Sequence, residues 1–412
     1  MNEHFDRLET RDPEQRERAQ MIALRRQLAH AKAHAPAFAH ILAGIAPDAI
    51  ATRDALAQLP VTRKSELLLL QKENRPFGGL AATRWGGALR AYASPGPIYE
   101  PEGRSPDHWR LARALFAAGF RAGDLVHNCF SYHLTPAGSM LETGAHALGC
   151  TVFPGGTGQT ELQVQAIADL QPAGYVGTPS FLRIILEKAD EQHIALPSLT
   201  RALVSGEAFP ASLRDALAAR GIAGYQVYAS ADLGAIAYES PARDGLIVDE
   251  GVIVEIVRPG TGDPVAPGEV GEVVVTTLFN ADYPLIRFGT GDLSALLPGV
   301  SPCGRTNMRV KGWMGRADQT TKVKGMFVHP AQVAAIVARH REVGRARLVV
   351  DNPDGNDRMT LHVEIPANAS SHAEGIVASI REVTKLRGEV AFRAPGELPN
   401  DGKVIDDVRK YD

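Results

Sequence analysis

Asp292 occupies the position in this sequence that most clearly suggests chemistry. It follows Thr290 and Gly291 in the segment RFGTGDL, directly after an apolar stretch. A carboxylate at the end of a strand can accept two hydrogen bonds from a vicinal diol. The alternative is a simple turn in which Asp292 caps its own backbone.

Two further charged segments follow Asp292 along the chain, GRADQTTKVKG at 315–325 and LPNDGK at 398–403. Neither is informative alone, because lysines near a C-terminus are mostly solvated and charged residues populate ordinary linkers. An acidic loop, a Gly-Arg-x-Asp junction and a lysine-bearing terminal loop in this order seldom arise by chance. The order of the three segments is therefore more informative than any one of them.

The elements that position these residues are predicted by short apolar runs that alternate with helical patterns between about 108 and 230. The runs are DLVHNCF, CTVFPGG, AGYVGTPS, RALVSGE and YQVYAS. Their spacing of roughly 20 to 28 residues predicts βα units in a parallel sheet. Ligands gather beyond the carboxyl ends of such strands, so we expect the chemistry in the loops that follow these runs. An amphipathic helix is predicted near 15–34.

The pattern changes after residue 240. GVIVEIV and GEVVVTTL are β-rich and separated by turn-forming residues, which predicts an antiparallel β subdomain. Beyond Gly315 the runs predict strand KVKGMFV, helix PAQVAAIVARH, strands ARLVV and RMTLHVEI, helix HAEGIVASIREV and strand EVAFRA. The predicted fold class is α/β, with a large N-terminal domain at 1–315 and a small C-terminal α+β domain at 316–412.

The composition favours a protein that acts on small molecules in the cytoplasm. The formal charge is -3, with 44 basic and 47 acidic residues, which argues against a nucleic-acid surface. The three cysteines show neither metal spacing nor a disulfide framework. The charged N-terminus does not resemble a signal peptide, and no apolar run is long enough to predict a membrane span.

The three segments together resemble the closing signatures of the adenylate-forming (AMP-binding) ligases. NCFSYHLTPAG resembles NxYGYGLFTGG, and TVFPGGTGQTELQ resembles TVIPxSGGxTExQ, which indicates the phenylacetate coenzyme A ligase branch. The resemblance covers about 59 to 403. It implies a large α/β domain with a parallel sheet and a β subdomain, followed by a small mobile α+β domain.

The resemblance implies a nucleotide site on two segments. Asp292 matches the residue that binds the ribose hydroxyls. YQVYASADLG resembles YxIYGLSEVG, which places Tyr228 against adenine with Ala229 and Ser230 beside it. Asp232 stands where a glutamate helps to hold a metal ion, here expected to be Mg²⁺, so Asp232 is predicted to be both catalytic and metal-binding.

Two other segments are also implied to contact the nucleotide. SGEAFP resembles GGEP, which places Gly206 and Glu207 near adenine. The alternative is that Glu207 only complements a helix dipole. SPCGRTNMRV resembles CPCGRTHPRI and suggests Arg305 as a nucleotide contact. Only Cys303 remains of a cysteine pair, so no zinc is expected.

The resemblance implies that different residues of the C-terminal domain act in the adenylation and thioester-forming steps. Lys403 matches the terminal-loop lysine that neutralises the carboxylate and α-phosphate as they join. Arg316, also expected to contact the nucleotide, and Asp318 match a hinge about which the small domain rotates. Lys324 and Gly325 match the loop that approaches coenzyme A in the second pose.

The acyl pocket is expected around residues 128–138. Phe130, Tyr132 and His133 are the residues that would shape an aromatic pocket there. The alternative for His133 is a hydrogen-bonded structural role.

The phosphate loop departs from the family pattern TSGTTGKP. The aligned stretch, YASPGPIYEPEG at 92–103, keeps Ser94 and Gly96 but loses the threonine pair and the lysine. Its prolines remove backbone donors, and Glu100 and Glu102 are expected to repel a polyphosphate. This departure leaves ATP use open.

The resulting hypothesis is an ATP-dependent ligase that adenylates an aryl or arylacetic acid and transfers the acyl group to coenzyme A, with AMP release. The alternatives are a catalytically degenerate relative that binds a nucleotide or acyl-CoA, and an adenylating enzyme with an amine or carrier-protein acceptor. The expected ligands are ATP or AMP, Mg²⁺ and coenzyme A, without nucleic acid or membrane. A homodimer is expected by analogy, and LPVTRKSEL at 59–67 is interpreted as structural.

Overall fold

The computed structural model of the chain forms two compact units, Met1–Met314 and Gly315–Asp412. Among the described residues, no helix is long and apolar enough to cross a membrane. The described residues are 3–95, 97–258, 261–314, 316–317, 321–323, 326–328, 330–353, 357–365, 372–399 and 403–409.

The first helix of the first unit, α1, starts at Pro13 because Asp12 caps it. Asp12 Oδ1 accepts a hydrogen bond from the Gln15 amide at 3.0 Å. This helix confirms the amphipathic helix expected near 15–34. The helices are α1 Pro13–His34, α2 Pro36–Ile41, α3 Arg53–Ala57, α4 Leu67–Glu73, α5 Ala112–Ala117, α6 Ala137–Leu148, α7 Thr160–Leu170, α8 Pro179–Glu191 and α9 Ala211–Ala219.

Strands of the first unit include the five expected between 108 and 230, which are β4 to β8. The strands are β1 Thr62–Arg63, β2 Arg90–Ser94, β3 Ile98–Glu102, β4 Leu125–Asn128, β5 Thr151–Phe153, β6 Gly174–Gly177, β7 Arg201–Val204, β8 Ala223–Ser230, β9 Gly234–Glu239, β10 Leu246–Val248, β11 Val252–Val257, β12 Gly271–Thr277, β13 Phe288–Ser294, β14 Leu296–Leu297 and β15 Arg309–Val310.

The parallel sheet predicted from the apolar runs is confirmed. β5, β4, β6, β7 and β8 pair in parallel, and antiparallel β9, β10, β15 and β14 continue the same sheet. Both faces of the parallel part are covered, since Val176 packs with Trp109 while its neighbour Tyr175 packs with Leu182 and Ile185. Burial on both faces explains why these strands read as continuous apolar runs.

A second, four-stranded sheet has the order β1, β13, β12, β11. The predicted antiparallel pairing of GVIVEIV with GEVVVTTL is confirmed as β11 with β12. β1 is parallel to β13, with Thr62 opposite Phe288 and Arg63 opposite Gly289. Asp292 therefore lies within β13 rather than after the strand, on the sheet that also holds the segment at 59–67.

The second unit is an α+β fold around a four-stranded sheet of order β20, β19, β18, β21. The single strand predicted from KVKGMFV is wrong, because two short antiparallel strands form there, and β21 was not predicted. The elements are β16 Thr321–Val323, β17 Met326–Val328, α10 Pro330–Val337, β18 Ala346–Asp351, β19 Arg358–Glu364, α11 Ala373–Thr384, β20 Glu389–Arg393 and β21 Ile405–Asp407.

Candidate active site

Two of the predicted nucleotide residues meet directly. The Tyr228 hydroxyl, at the end of β8, donates to Asp292 Oδ2 at 2.9 Å. The other carboxylate oxygen, Oδ1, accepts from Trp313 Nε1 at 3.2 Å. The Asp292 carboxylate therefore connects β13 to the large sheet, and each of its two oxygens accepts a hydrogen bond from an aromatic side chain.

The backbone around Asp292 is held by Thr290. Thr290 Oγ1 accepts from the Asp292 amide at 3.1 Å and donates to the Val273 carbonyl at 3.0 Å. Gly291 between them has φ +76°, a conformation that favours glycine. Thr290 thus holds the backbone at an irregular point of β13, while the Asp292 side chain faces Tyr228.

Asp232 lies in the tight connection between β8 and β9 and is fully buried. Its Oδ2 accepts from the Lys64 ammonium, and its Oδ1 has no hydrogen-bond partner among the described residues. Ser230 Oγ accepts from the Leu233 amide at 3.3 Å and closes this turn, and Ala229 precedes it in β8. The site therefore contains a buried carboxylate with one unused oxygen.

The stretch at 92–103 forms an antiparallel hairpin of β2 and β3, in which Tyr92 pairs with Glu100 and Ser94 with Ile98. Ser94 Oγ donates to Glu100 Oε1 at 2.5 Å, and Glu100 is fully buried. Burial raises the pKa of Glu100 to about 8, and nearby Asp232 adds to the rise. Burial and Asp232 therefore disfavour the ionised form of Glu100, which is the form that the expected repulsion of polyphosphate requires.

Glu102 is also fully buried, two residues further along the same strand. Its Oε2 accepts from Arg90 Nη1 at 3.0 Å and from the Tyr92 hydroxyl at 3.1 Å, and Ser139 Oγ donates to Oε1 at 3.1 Å. An arginine and two hydroxyl groups thus compensate this charge. The repulsion of polyphosphate expected from Glu102 is therefore not supported, because its carboxylate is buried and paired with Arg90.

Gly206 and Phe130 are brought together at the ends of β7 and β4. Gly206 has φ +85°, and a Cβ atom there would lie 3.9 Å from Phe130 Cε1. Glu207 Oε1 accepts from the Ser180 amide at 2.6 Å in the first turn of α8. This contact matches the helix-dipole alternative for Glu207.

Tyr132 is held by polar partners in the loop before α6. Its hydroxyl donates to Glu142 Oε2 at 2.8 Å and accepts from Asn128 Nδ2 at 2.8 Å. His133 is exposed, and its amide donates to Ser131 Oγ at 3.1 Å. Of the three predicted pocket residues, Phe130 is buried and Tyr132 half-buried, whereas His133 faces solvent.

Arg305, predicted to contact the nucleotide, is buried at 2 % exposure. Its Nε donates to Glu9 Oε1 at 3.0 Å, and its Nη2 donates to the Glu3 carbonyl at 3.3 Å. These contacts connect the N-terminal segment to the rest of the first unit. The Arg305 guanidinium is therefore engaged by the N-terminal segment, where no contact with a nucleotide was expected.

The remaining predicted residues belong to the second unit or lie outside the residues that the structure describes. Lys403 is exposed, with Nζ 3.1 Å from Asp406 Oδ1, and Arg316 is half-buried at the start of this unit. The predicted residues that lie outside the described part of the chain are Gly96, Asp318, Lys324 and Gly325.

Sequence reasoning missed Lys64 and Trp313. Lys64 lies in LPVTRKSEL, which was interpreted as structural, yet its ammonium binds Asp232. Trp313 stands two residues before the Gly-Arg-x-Asp segment and is 60 % exposed. The available signal for Trp313 was an aromatic residue beside a candidate hinge, and for Lys64 no local signal existed.

Comparison with known proteins gives consistent results. The family model "AMP-binding enzyme" matches residues 109–281. A phenylacetate-coenzyme A ligase of Aromatoleum evansii is 33% identical over 82% of this chain and 79% of that protein. The Thermus thermophilus enzyme of that name is 31% identical over 98% of this chain and 99% of its own length.

Among solved structures, a 2-hydroxyisobutyryl-CoA ligase in complex with 2-HIB-AMP and CoA superposes with a TM-score of 0.74. It covers 98% of this chain and 92% of its own, at 24% identity, and supports the fold. The sequence-based family prediction is confirmed. Since relatives more than 30% identical align along most of both sequences, the chain belongs to the phenylacetate-coenzyme A ligase family of AMP-binding enzymes.

Proposed function

We propose that this protein is an AMP-forming carboxylate–coenzyme A ligase. The observation that carries the proposal is the contact between Tyr228 and Asp292, a ring and a carboxylate that are 64 positions apart in sequence. Such a pair suits a nucleoside, because the ring offers a stacking face and the carboxylate accepts from vicinal hydroxyl groups. Family membership supplies the reaction class.

The reaction proceeds in two displacements. A carboxylate oxygen of the acid attacks the α-phosphorus of ATP, and pyrophosphate leaves with its bonding electrons. The coenzyme A thiolate then attacks the acyl carbon and releases AMP, which retains the oxygen of the acid. In this proposal Asp292 orients the ribose, and the Lys403 ammonium neutralises charge in the first displacement.

The two compact units provide a basis for the two steps. We assign the nucleotide and acyl sites to 1–315, and we assign to 316–412 a domain that rotates about Arg316 and Asp318. Lys403 belongs to this second unit. In this proposal, rotation of the second unit would withdraw Lys403 from the reacting groups and bring up the loop of Lys324 and Gly325, which approaches coenzyme A.

Mg²⁺ fits the residues present. Asp232 is fully buried and has one oxygen without a partner among the described residues, and carboxylate oxygens are the ligands that this ion prefers. When bound, Mg²⁺ supplies positive charge to the phosphates. Asp232 would hold the ion, while Lys64 would lose its present partner.

The acyl site is assigned to the space around Phe130 and Gly206. Absence of a side chain at Gly206 leaves room beside the Phe130 ring, since the nearest atoms to a Cβ there are 3.7 and 3.9 Å away. An aromatic ring beside a glycine suits a flat apolar group. Aryl and arylacetic acids are therefore the substrates to test first, and Tyr132 is the candidate polar residue at this site.

Product analysis tests the proposal. Purified protein is incubated with ATP, MgCl₂, coenzyme A and a panel of aryl, arylacetic and short alkyl acids, and AMP and acyl-CoA are quantified by chromatography. We expect equal amounts of both products, dependent on the acid. No acid-dependent AMP from any acid would contradict the ligase assignment.

One observation favours a second candidate, a binder of AMP or acyl-CoA that uses ATP poorly. In the β2–β3 hairpin, alternate backbone amides pair across the two strands. The outward-facing amides of Ala93 and Tyr99 donate to the Leu134 carbonyl and to Gln71 Oε1, so they are not available to a triphosphate either. Calorimetry separates the two: a binder takes up AMP or an acyl thioester, while ATP with Mg²⁺ gives little heat. An amine or carrier-protein acceptor remains a third candidate, which acceptor screening would reveal.

A further inference from the structure

Two buried carboxyl groups from distant parts of the chain lie beside one ammonium group. Glu100 comes from the β2–β3 hairpin, Asp232 from the β8–β9 turn, and both are fully buried. Lys64 binds Oδ2 of Asp232, and its charge also acts on Glu100. Glu100 Oε2 and Asp232 Oδ1 have no hydrogen-bond partner within the described residues.

Hydrogen bonding leaves these two oxygens available for a ligand. Ser94 occupies Oε1 of Glu100, and Lys64 occupies Oδ2 of Asp232. Each carboxyl group is thereby anchored through one oxygen while the other remains unused. Unused buried acceptors are costly, and in native proteins they commonly mark a proton, an ion or a water position.

Charge balance narrows the choice of ligand. With both carboxyl groups ionised, the single ammonium would leave one negative charge in a buried environment, which is unfavourable without a compensating cation. A divalent cation compensates it, and hard cations such as Mg²⁺ and Mn²⁺ take carboxylate oxygens and hydroxyl groups as ligands. The Lys64 side chain is 25% exposed, so it can withdraw towards solvent when a cation enters.

We propose that Glu100 and Asp232 together form a divalent-cation site, in which the hairpin supplies a second protein carboxylate. Ser94 orients Glu100 for this role. The site takes up Mg²⁺ or Mn²⁺ before any nucleotide is present, because two protein carboxylates are already in place. The physiological use of the ion rests on the proposed function, but the binding itself does not.

The test uses Mn²⁺ and the full-length protein without acid, nucleotide or coenzyme A. Electron paramagnetic resonance of free Mn²⁺ measures the bound fraction. We expect one ion per wild-type chain and at least a tenfold weaker affinity in Glu100→Gln, since loss of a supporting group alone costs about 10- to 100-fold. Lys64→Met removes the competing ammonium and is expected to tighten binding.

Glu102→Gln is the matched control, because Glu102 is a buried carboxylate of the same hairpin that contacts Arg90 and Ser139 instead. Its Mn²⁺ affinity should equal that of the wild type. Circular dichroism checks folding. If Glu100→Gln does not fold, the wild-type melting temperature must still rise with added Mn²⁺.

Wild-type protein that binds no Mn²⁺, or Glu100→Gln that binds as tightly as wild type, would overturn the proposal. The ligase assay and the Mn²⁺ measurement have no reagent in common except the protein and a metal salt. Failure of ligase activity with intact Mn²⁺ binding therefore refutes only the proposed function, and the reverse result refutes only the cation site.

Discussion

The Tyr228 hydroxyl lies 2.9 Å from Asp292 Oδ2 and connects the end of β8 to β13. Trp313 donates to the other oxygen of the same carboxylate. The acceptors that a ribose would use are thus already aligned by two aromatic donors. A site that is held in place before the ligand arrives costs less ordering on binding.

Asp292→Asn is predicted to weaken nucleotide binding. The amide keeps one acceptor oxygen but loses the charge and the second acceptor, and one charge-assisted hydrogen bond contributes about 1.5 to 3 kcal/mol. We expect the AMP dissociation constant, measured by calorimetry, to rise by roughly 10- to 100-fold. Asp48→Asn, at an exposed aspartate outside the site, should leave it unchanged; equal affinities in the two variants would remove Asp292 from the nucleotide site.

Trp313 is predicted to report nucleotide binding. Ribose hydroxyl groups compete with its indole N–H for Asp292 Oδ1, so the environment of this exposed ring changes when AMP binds. Tryptophan emission should change on titration with AMP in wild-type protein and in Trp85→Phe. Trp313→Phe should lose the change, and a full signal in this variant would argue against the competition.

Lys403→Ala is predicted to slow adenylation more than thioester formation. An ammonium at the developing charge contributes about 10² to 10³ in rate. Acid-dependent pyrophosphate exchange should fall by that factor, whereas the conversion of supplied acyl adenylate to acyl-CoA should change little. Lys72→Ala removes an exposed lysine of the first unit and serves as the control. Equal losses in both half-reactions would contradict the assigned role.

His108 is predicted to make stability depend on pH. Burial, with Arg110 adding to it, lowers the pKa of His108 to about 4, and its Nε2 accepts from the Gly103 amide at 3.4 Å. Because the folded pKa is below the unfolded value, this stability is present above about pH 6.5 and lost as pH falls through about 4. The full effect is about 3 kcal/mol.

The measurement is the free energy of unfolding of wild type and His108→Gln between pH 4 and 7. Asp107 is a neighbouring half-buried group whose pKa is raised to about 6 by desolvation, so it opposes this trend in both proteins. The difference between the two proteins isolates His108. We expect the difference to shrink towards acid pH; a constant difference would show that His108 does not titrate with unfolding.

The sequence allowed the prediction of the parallel strands, because apolar runs are local patterns. Tyr228 and Asp292 were selected by their resemblance to family motifs. It did not allow the prediction of Lys64 against Asp232, since that contact joins residues 168 positions apart. Glu100 and Glu102 looked like a repulsive surface because sequence does not show which side of a hairpin is buried. Burial of Arg305 beside Glu9 is likewise a tertiary property that the sequence does not show.

The measurement that tests the ligase assignment most directly is oxygen transfer from the acid to AMP. The accepted acid is labelled with ¹⁸O in its carboxylate, incubated with ATP, MgCl₂ and coenzyme A, and the AMP is analysed by mass spectrometry. We predict AMP that carries one labelled oxygen, formed together with acyl-CoA. Unlabelled AMP, or acyl-CoA formed without AMP, would contradict the adenylate pathway.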